Sequence, residues 1–292
     1  MRTAALRDAG RFALLAMAFS WPVLLAVDGW LLPRAADRLD AAALAAAGLL
    51  GHLLAMAGPA VAALLLWRRQ PGSVRPAFRW GRPADYLWLA LALLALRGGS
   101  LLIGALAGAG MWPWRSPFEP GVAVILAGSL TLGWLGGLGE EVGWCAYLLS
   151  RLTPAFGRVG AVVIAGIIRG FWHLPLLLMP LAAAVGRGEL APAQAASSAL
   201  AAALALALSN ILFGAALGWL WFRRQSMALV GWAHQWHDLA RDAGLVLAVG
   251  AASSPATALA WSLAIHALGL AALWSLRRER EAPTWREAGC AA

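Results

Sequence analysis

Lysine is absent from this chain, charge of either sign is scarce, and cysteine is rare. All 23 basic residues are arginine, only 13% of the 292 residues are charged, and 61% are hydrophobic. The mean hydropathy is +0.71. A soluble domain of this size cannot bury so much apolar surface, so the composition predicts a membrane protein with several spanning helices. The two cysteines, Cys145 and Cys290, are too few for a disulfide framework.

The sequence also lacks any long repeat and any separate polar domain. It therefore predicts a single membrane-embedded domain over residues 1–292, with a short basic cytoplasmic tail at 277–292. The missing repeats count against a secondary transporter, since many transporters are built from repeated halves. We keep a proton-coupled transporter as an alternative, because buried Glu, His and Arg side chains could form a proton relay.

Apolar runs long enough to cross a bilayer recur along the whole chain. A spanning helix needs roughly 20 mostly apolar residues. We predict an all-α, polytopic bundle of about eight transmembrane helices, approximately at 11–32, 43–67, 86–109, 120–150, 159–181, 194–222, 226–248 and 256–276. Because many spans follow the first run, we interpret it as an uncleaved helix and not as a signal peptide.

The arginines predict the orientation of this bundle. They concentrate at the N-terminus and in the segments 67–83, 151–158, 223–224 and 277–281. With eight spans, all of these segments lie on one side. The positive-inside rule then places both termini in the cytoplasm. The net charge of +9 is therefore accounted for by arginine-rich connectors at the surface of the lipid bilayer. We expect no nucleic-acid partner.

Three of the predicted helices bring ionisable side chains to a comparable depth in the bilayer. Each costs at least about 2.5–3.5 kcal/mol at the bilayer centre, so each is a functional candidate. Glu140 and Glu141 lie about 15 Å from Arg151, at 1.5 Å per helical residue. His173 lies in a second helix. In a third, His234 and Asp238 share a face because they are four residues apart.

These groups predict hydrolytic chemistry if they meet in one cavity. A carboxylate can take a proton from water, an imidazole can position that water, and a donor can support an oxyanion. A histidine alone at membrane depth is most often a packing residue, and so is Trp144. The convergence of three polar helices between about 120 and 248 favours a catalytic site.

The same residues resemble a known family. "EEVGWC" (140–145), His173 and "HQWHD" (234–238) are similar, in order and spacing, to the motifs EExxxR, FxxxH and HxxxN or HxxxD. These motifs mark the CAAX protease and bacteriocin-processing (CPBP) intramembrane proteases, which include the Ras-converting CAAX endopeptidases. The string EExGW is characteristic of the bacterial branch.

The resemblance implies an intramembrane endopeptidase whose cavity opens to the cytoplasm. It implies that Glu140, with Glu141 beside it, activates water together with His173. His234 and Asp238 then support the oxyanion or the geometry of the site. It leaves open a divalent metal such as zinc, whose ligands would be Glu140, His173 and His234. The implied substrate is a peptide or protein, including a membrane-anchored one, at the inner membrane of a bacterium.

Two positions depart from the family motifs. Cys145 stands where the first motif has arginine, and Arg169 stands where the second has phenylalanine. We predict that Arg169, or failing that Arg97, neutralises Glu141 in place of the missing arginine. A protonated Glu141 is the simpler alternative. The substitution also keeps open a non-catalytic binding or bacteriocin-immunity protein on the same scaffold.

Overall fold

The computed structural model describes residues 1–69, 78–109, 116–247 and 254–279 of the chain. Within these ranges the chain forms helices and no strands. The predicted all-α bundle is therefore confirmed. The predicted basic tail lies outside the described residues beyond Glu279, as does Cys290.

Twelve α-helices form within the described part of the chain. They are α1 (Arg2–Ala26), α2 (Leu32–Ala35), α3 (Ala41–Met56), α4 (Gly58–Arg69), α5 (Pro83–Gly104), α6 (Pro120–Thr131), α7 (Gly133–Glu141), α8 (Ser150–Trp172), α9 (Leu174–Gly186), α10 (Pro192–Arg224), α11 (Met227–Leu247) and α12 (Pro255–Arg278). Three segments are π-helical, Val27–Leu31, Ala105–Ala109 and Val142–Leu149. Four helices begin with a proline, whose fixed φ suits the first helical position.

Six helical runs are long and apolar enough to cross a membrane, judged by length and composition over the described residues. They are Arg2–Ala35, Ala41–Arg69, Pro83–Gly108, Gly133–Gly186, Pro192–Arg224 and Pro255–Arg278. The sequence predicts about eight spans. The counts differ because α7, α8 and α9 form one run, and because α11 carries Asp238, Arg241 and Asp242.

The run Gly133–Gly186 contains three local irregularities. Val142–Leu149 is π-helical and begins directly after the glutamate pair. Gly157 has a φ of 68°, in the left-handed region that favours glycine. The helix is then interrupted at His173, two residues before Pro175, which has no N–H to continue the hydrogen-bond ladder. Both predicted catalytic segments of this run therefore lie at helix irregularities.

An aromatic core holds the π-helical segment against α1 and α4. Phe12 stacks on Tyr147 with ring centroids 5.4 Å apart, and it meets Trp144 edge-on at 5.3 Å. Trp67 packs against the other side of Tyr147 at 5.6 Å. Lipid tails are as apolar as these rings, so close packing, not exclusion from water, stabilises such contacts. These contacts hold in place the π-helical segment that directly follows the two glutamates.

Polar contacts gather the arginine-rich helix ends at one end of the bundle. Glu279, after α12, accepts hydrogen bonds from Arg158 of α8 at 2.7 Å and from Arg223 of α10 at 2.5 Å. Arg2 donates to the backbone oxygen of Ala155 at 3.3 Å. The N-terminus and three helix ends thus lie together, as the charge pattern predicts. Which side of the membrane this end faces stays a prediction.

Candidate active site

A glycine allows the backbones of α7 and α11 to touch. A Cβ atom added at Gly231 would lie 2.8 Å from the Cα atom of Leu138, closer than real Cβ atoms approach a backbone. Small residues of this kind let membrane helices pack closely. The contact brings the glutamates at the end of α7 within reach of the histidines of α11.

Glu141 is completely buried and is held by two helices. Its Oε1 atom accepts a hydrogen bond from Arg169 of α8, and the two side chains form an ion pair. The same oxygen lies 2.8 Å from Nδ1 of His234. Arg97 makes no ion pair with a carboxylate in the described ranges. The prediction that Arg169 replaces the missing motif arginine as the partner of Glu141 is therefore confirmed.

Arg169 lies between aromatic rings and a small cavity. Its guanidinium carbon lies 5.3 Å from the ring centre of Trp144 and 5.9 Å from that of Phe213. Such cation–π contacts offset part of the cost of removing the charge from water. Cys145 is buried and lines the same cavity. The guanidinium that the motif places at position 145 thus comes from a neighbouring helix.

Glu140 is held on one oxygen only. Trp144 donates its indole N–H to Oε2 at 2.9 Å. Within the described part of the chain, this is the hydrogen bond that the Glu140 side chain makes, whereas Oε2 of Glu141 is buried without a hydrogen-bond partner. Sequence reasoning assigned Trp144 to packing and missed this bond. The signal was its spacing, since residues four apart on a helix share a face.

His173 lies at the junction of α8 and α9 with one nitrogen fixed. Its Nδ1 atom lies 2.8 Å from the backbone oxygen of Arg169. A carbonyl oxygen can only accept, so Nδ1 must carry the proton of the neutral ring and Nε2 keeps its lone pair. Among the residues that the structure describes, Nε2 of His173 is therefore a basic nitrogen with no hydrogen-bond donor bound to it.

Asp238 contacts His234 on one side and both His237 and Arg241 on the other. Its Oδ2 atom lies 3.5 Å from Nε2 of His234. Its Oδ1 atom accepts from Nδ1 of His237 at 3.0 Å and lies 3.3 Å from Arg241. Both nitrogens of His234 thus face carboxylates. The structure adds His237 and Arg241 to the residues that the motifs identify.

The five predicted site residues share one neighbourhood but not one tight cluster. Candidate ligand atoms of Glu140, Glu141 and His234 lie within 4.8 Å of one another. His173 is not in that group. It packs edge-on against Trp172 at 4.7 Å, and the charges that act on it include Glu140 and His234.

The tight group is a poor fit for a metal ion. Zinc needs three or four ligand atoms directed at one point. Here the Oε1 atom of Glu141 and Nδ1 of His234 already bind each other. The Arg169 guanidinium occupies the same oxygen, so a metal cation there would face a fixed positive charge. We therefore derive no step through a metal.

A comparison with protein families agrees with the motifs. Residues 122–240 match the family model described as type II CAAX prenyl endopeptidase Rce1-like. All five predicted site residues lie inside the matched segment. A search of curated proteins finds no match. Residues 122–240 of this integral membrane protein are therefore similar to the Rce1-like type II CAAX prenyl endopeptidases, a family of peptide hydrolases.

Proposed function

We propose that this protein cleaves peptide bonds with a water molecule that Glu140 activates. One observation carries the proposal. Glu140 is buried and accepts a hydrogen bond from the neutral indole of Trp144, whereas Glu141 is ion-paired with Arg169. A general base needs a free lone pair held within hydrogen-bond distance of its water.

Glu141 is the less suitable base of the pair. Its Oε1 atom is bound by Arg169 and His234, and although its Oε2 atom has no hydrogen-bond partner, the carboxylate carries the positive charge of Arg169 beside it. An arginine beside a buried carboxylate stabilises the charged form and lowers its basicity. We assign Glu141 to holding α7, α8 and α11 in register, which leaves Glu140 to take the proton.

His173 and His234 are proposed to have different roles. The free Nε2 atom of His173 can accept a hydrogen bond from the attacking water or hold the proton that Glu140 removes. His234 directs Nδ1 to Glu141 and Nε2 towards Asp238. Both directions are used within the protein, so we assign His234 and Asp238 to the geometry of the site and not to the oxyanion.

The substrate is proposed to enter from the end that carries the arginines. The family name refers to prenylated CAAX substrates, and the family implies a peptide substrate in a lipid environment. For this chain we propose a membrane-anchored peptide presented at the cytoplasmic face of a bacterial inner membrane. The non-catalytic alternative depended on the loss of the motif arginine, and Arg169 removes that reason by supplying the charge.

A cleavage assay tests the proposal. Purified protein in detergent is incubated with a peptide library, and new termini are identified by mass spectrometry. We expect Glu140→Gln to lower the rate about 10²–10⁴-fold, as is usual for loss of a general base. Glu189→Gln, an exposed carboxylate, is the matched control and should retain the wild-type rate. Equal cleavage by wild type and Glu140→Gln would exclude the proposed mechanism.

A further inference from the structure

His237 of α11 is a buried histidine to which the proposed mechanism gives no role. Its Nδ1 atom lies 3.0 Å from Oδ1 of Asp238, the next residue in the chain. An ionised carboxylate only accepts hydrogen bonds, so Nδ1 carries the proton of this bond. Adjacent side chains on a helix point about 100° apart and do not face each other by default. The contact therefore needs a feature that turns the imidazole towards Asp238.

Two aromatic rings from other helices hold the imidazole of His237 in this orientation. The ring centroid of Phe213, on α10, lies 4.2 Å from that of the imidazole, with 31° between the two planes. Trp261, on α12, stacks on the imidazole at 5.5 Å, with 29° between the planes. Close packing against these flat rings opposes rotation of the imidazole, because a turn would drive its edge into them. Three helices thus set the direction of the Nδ1–H group.

The bond from His237 leaves the second oxygen of Asp238 for His234. Oδ2 of Asp238 lies 3.5 Å from Nε2 of His234. His234 in turn directs Nδ1 to Oε1 of Glu141 at 2.8 Å. A contact as long as 3.5 Å depends strongly on how the carboxylate is turned, since hydrogen bonds weaken steeply as their geometry worsens. A donor that fixes Oδ1 of Asp238 therefore also restrains the ring of His234.

Arg241 also reaches Oδ1 of Asp238, but it holds this oxygen less firmly than His237 does. Its Nη1 atom lies 3.3 Å from the oxygen, and 44% of its side chain is exposed. The same guanidinium binds both oxygens of Asp242, with Nε at 2.7 Å and Nη2 at 3.1 Å. Ion pairs of exposed side chains contribute little, because water competes for both charges. The shorter and more buried bond from His237 is therefore the main restraint on Asp238.

We propose that His237 is a positioning residue for the reaction, an inference that rests on the proposed function. Its Nδ1–H group fixes Asp238, and Asp238 fixes the ring of His234. His234 then holds Glu141 in place beside the base, Glu140. His237 lies outside the tight group formed by the last three of these residues, so it acts through them and not on the substrate. Loss of its N–H group should lower kcat and leave KM unchanged.

Two substitutions separate the N–H group of His237 from its ring. His237→Asn keeps an N–H group close to the position of Nδ1, whereas His237→Phe keeps a flat ring and loses the donor. We expect His237→Phe to lower kcat about 10–100-fold at unchanged KM, as for loss of a hydrogen bond to a charged group, and His237→Asn to stay within about threefold of wild type. His52→Phe, a histidine of α3 outside the candidate site, is the matched control and should keep the wild-type kcat.

NMR of the ring nitrogens of the five histidines gives a measurement that does not require cleavage. Full-length protein in detergent is labelled at histidine, and the signals are assigned by single substitutions. We expect Nδ1 of His237 to resonate as a protonated nitrogen in wild type. The ring signals of His234 should shift in His237→Phe and keep their positions in His237→Asn.

A deprotonated Nδ1 of His237 in wild type overturns the inference, and that result does not depend on how any variant folds. Wild-type kcat in His237→Phe, or His234 signals that it leaves in place, overturns the inference as well. Equal losses of kcat in His237→Phe and His237→Asn assign the effect to the ring and also contradict it. Any of these results with cleavage by wild type leaves the proposed function standing. The expected His234 shifts without cleavage by wild type support the positioning contact and remove the proposed function.

Discussion

Arg169 of α8 donates to Glu141 of α7, 28 residues earlier in the chain, at a position where both side chains are buried. In the family motif an arginine four residues after the second glutamate can make this contact within one helix. Here Cys145 occupies that position, and the charge comes from the helix that also carries His173. The pair therefore links the geometry of the two predicted catalytic helices.

Replacing Arg169 with leucine should destabilise the protein, because the buried charge of Glu141 loses its arginine partner and keeps only the contact with His234. Removing one partner of a buried pair typically costs about 3–5 kcal/mol. Thermal unfolding of purified protein in detergent measures the loss, and cleavage rates should fall with it. Adding Cys145→Arg to this variant should restore part of both. Wild-type stability and activity in Arg169→Leu would show that the pair has no such role.

The indole of Trp144 should matter through its N–H and not only through its ring. We expect Trp144→Phe to lower kcat about 10-fold or more, since hydrogen bonds to charged groups contribute about 1.5–3 kcal/mol. Trp172→Phe is the matched control, because the indole N–H of Trp172 is buried with no partner among the described residues. Steady-state kinetics of the two variants distinguish the loss of the hydrogen bond from the loss of ring packing. Similar losses in both would assign the effect to ring packing.

Removal of divalent metals should leave activity unchanged. Glu141 and His234 bind each other, and Arg169 places a positive charge on the same oxygen. We therefore expect cleavage rates before and after exhaustive chelation and dialysis to agree within about twofold. A loss of activity that zinc restores would show that the site rearranges to bind a metal, contrary to this interpretation.

The membrane orientation can be tested at two connectors. The end of the bundle that gathers Arg158, Arg223 and Glu279 should face the cytoplasm. A reporter inserted after Arg187 should then give an extracytoplasmic signal, and one inserted after Gln225 a cytoplasmic signal. Opposite signals would invert the proposed topology, and signals on one side would contradict the arrangement of α10.

Much of the fold and part of the site could be predicted from the sequence, because both depend on local chemistry. Long apolar runs indicate helices, and charges inside them mark positions that need a partner. This reasoning identified the Glu141–Arg169 contact before any geometry. It could not identify the π-helical segment after Glu141, because that irregularity depends on how Tyr147 and Trp144 pack against Phe12.

Other features of the site depend on distances between helices, which sequence spacing does not contain. The sequence grouped Glu140, His173 and His234 as candidate metal ligands. In the structure Glu141 takes the place of His173 in the tight group, because the helix is interrupted at His173 and its Nδ1 atom binds the backbone of Arg169. The contribution of His237 to Asp238 likewise follows from side-chain orientation on α11.

The most direct test of the account compares Glu140→Gln with Glu141→Gln in one preparation, measuring both unfolding and cleavage. Glu140→Gln can still accept the Trp144 hydrogen bond, so it should unfold like wild type and lose about 10²–10⁴-fold in rate. Glu141→Gln should unfold more easily, by about 3–5 kcal/mol, because Arg169 loses its charged partner. A stable Glu140→Gln protein that cleaves at the wild-type rate would contradict the assignment of Glu140 as the base.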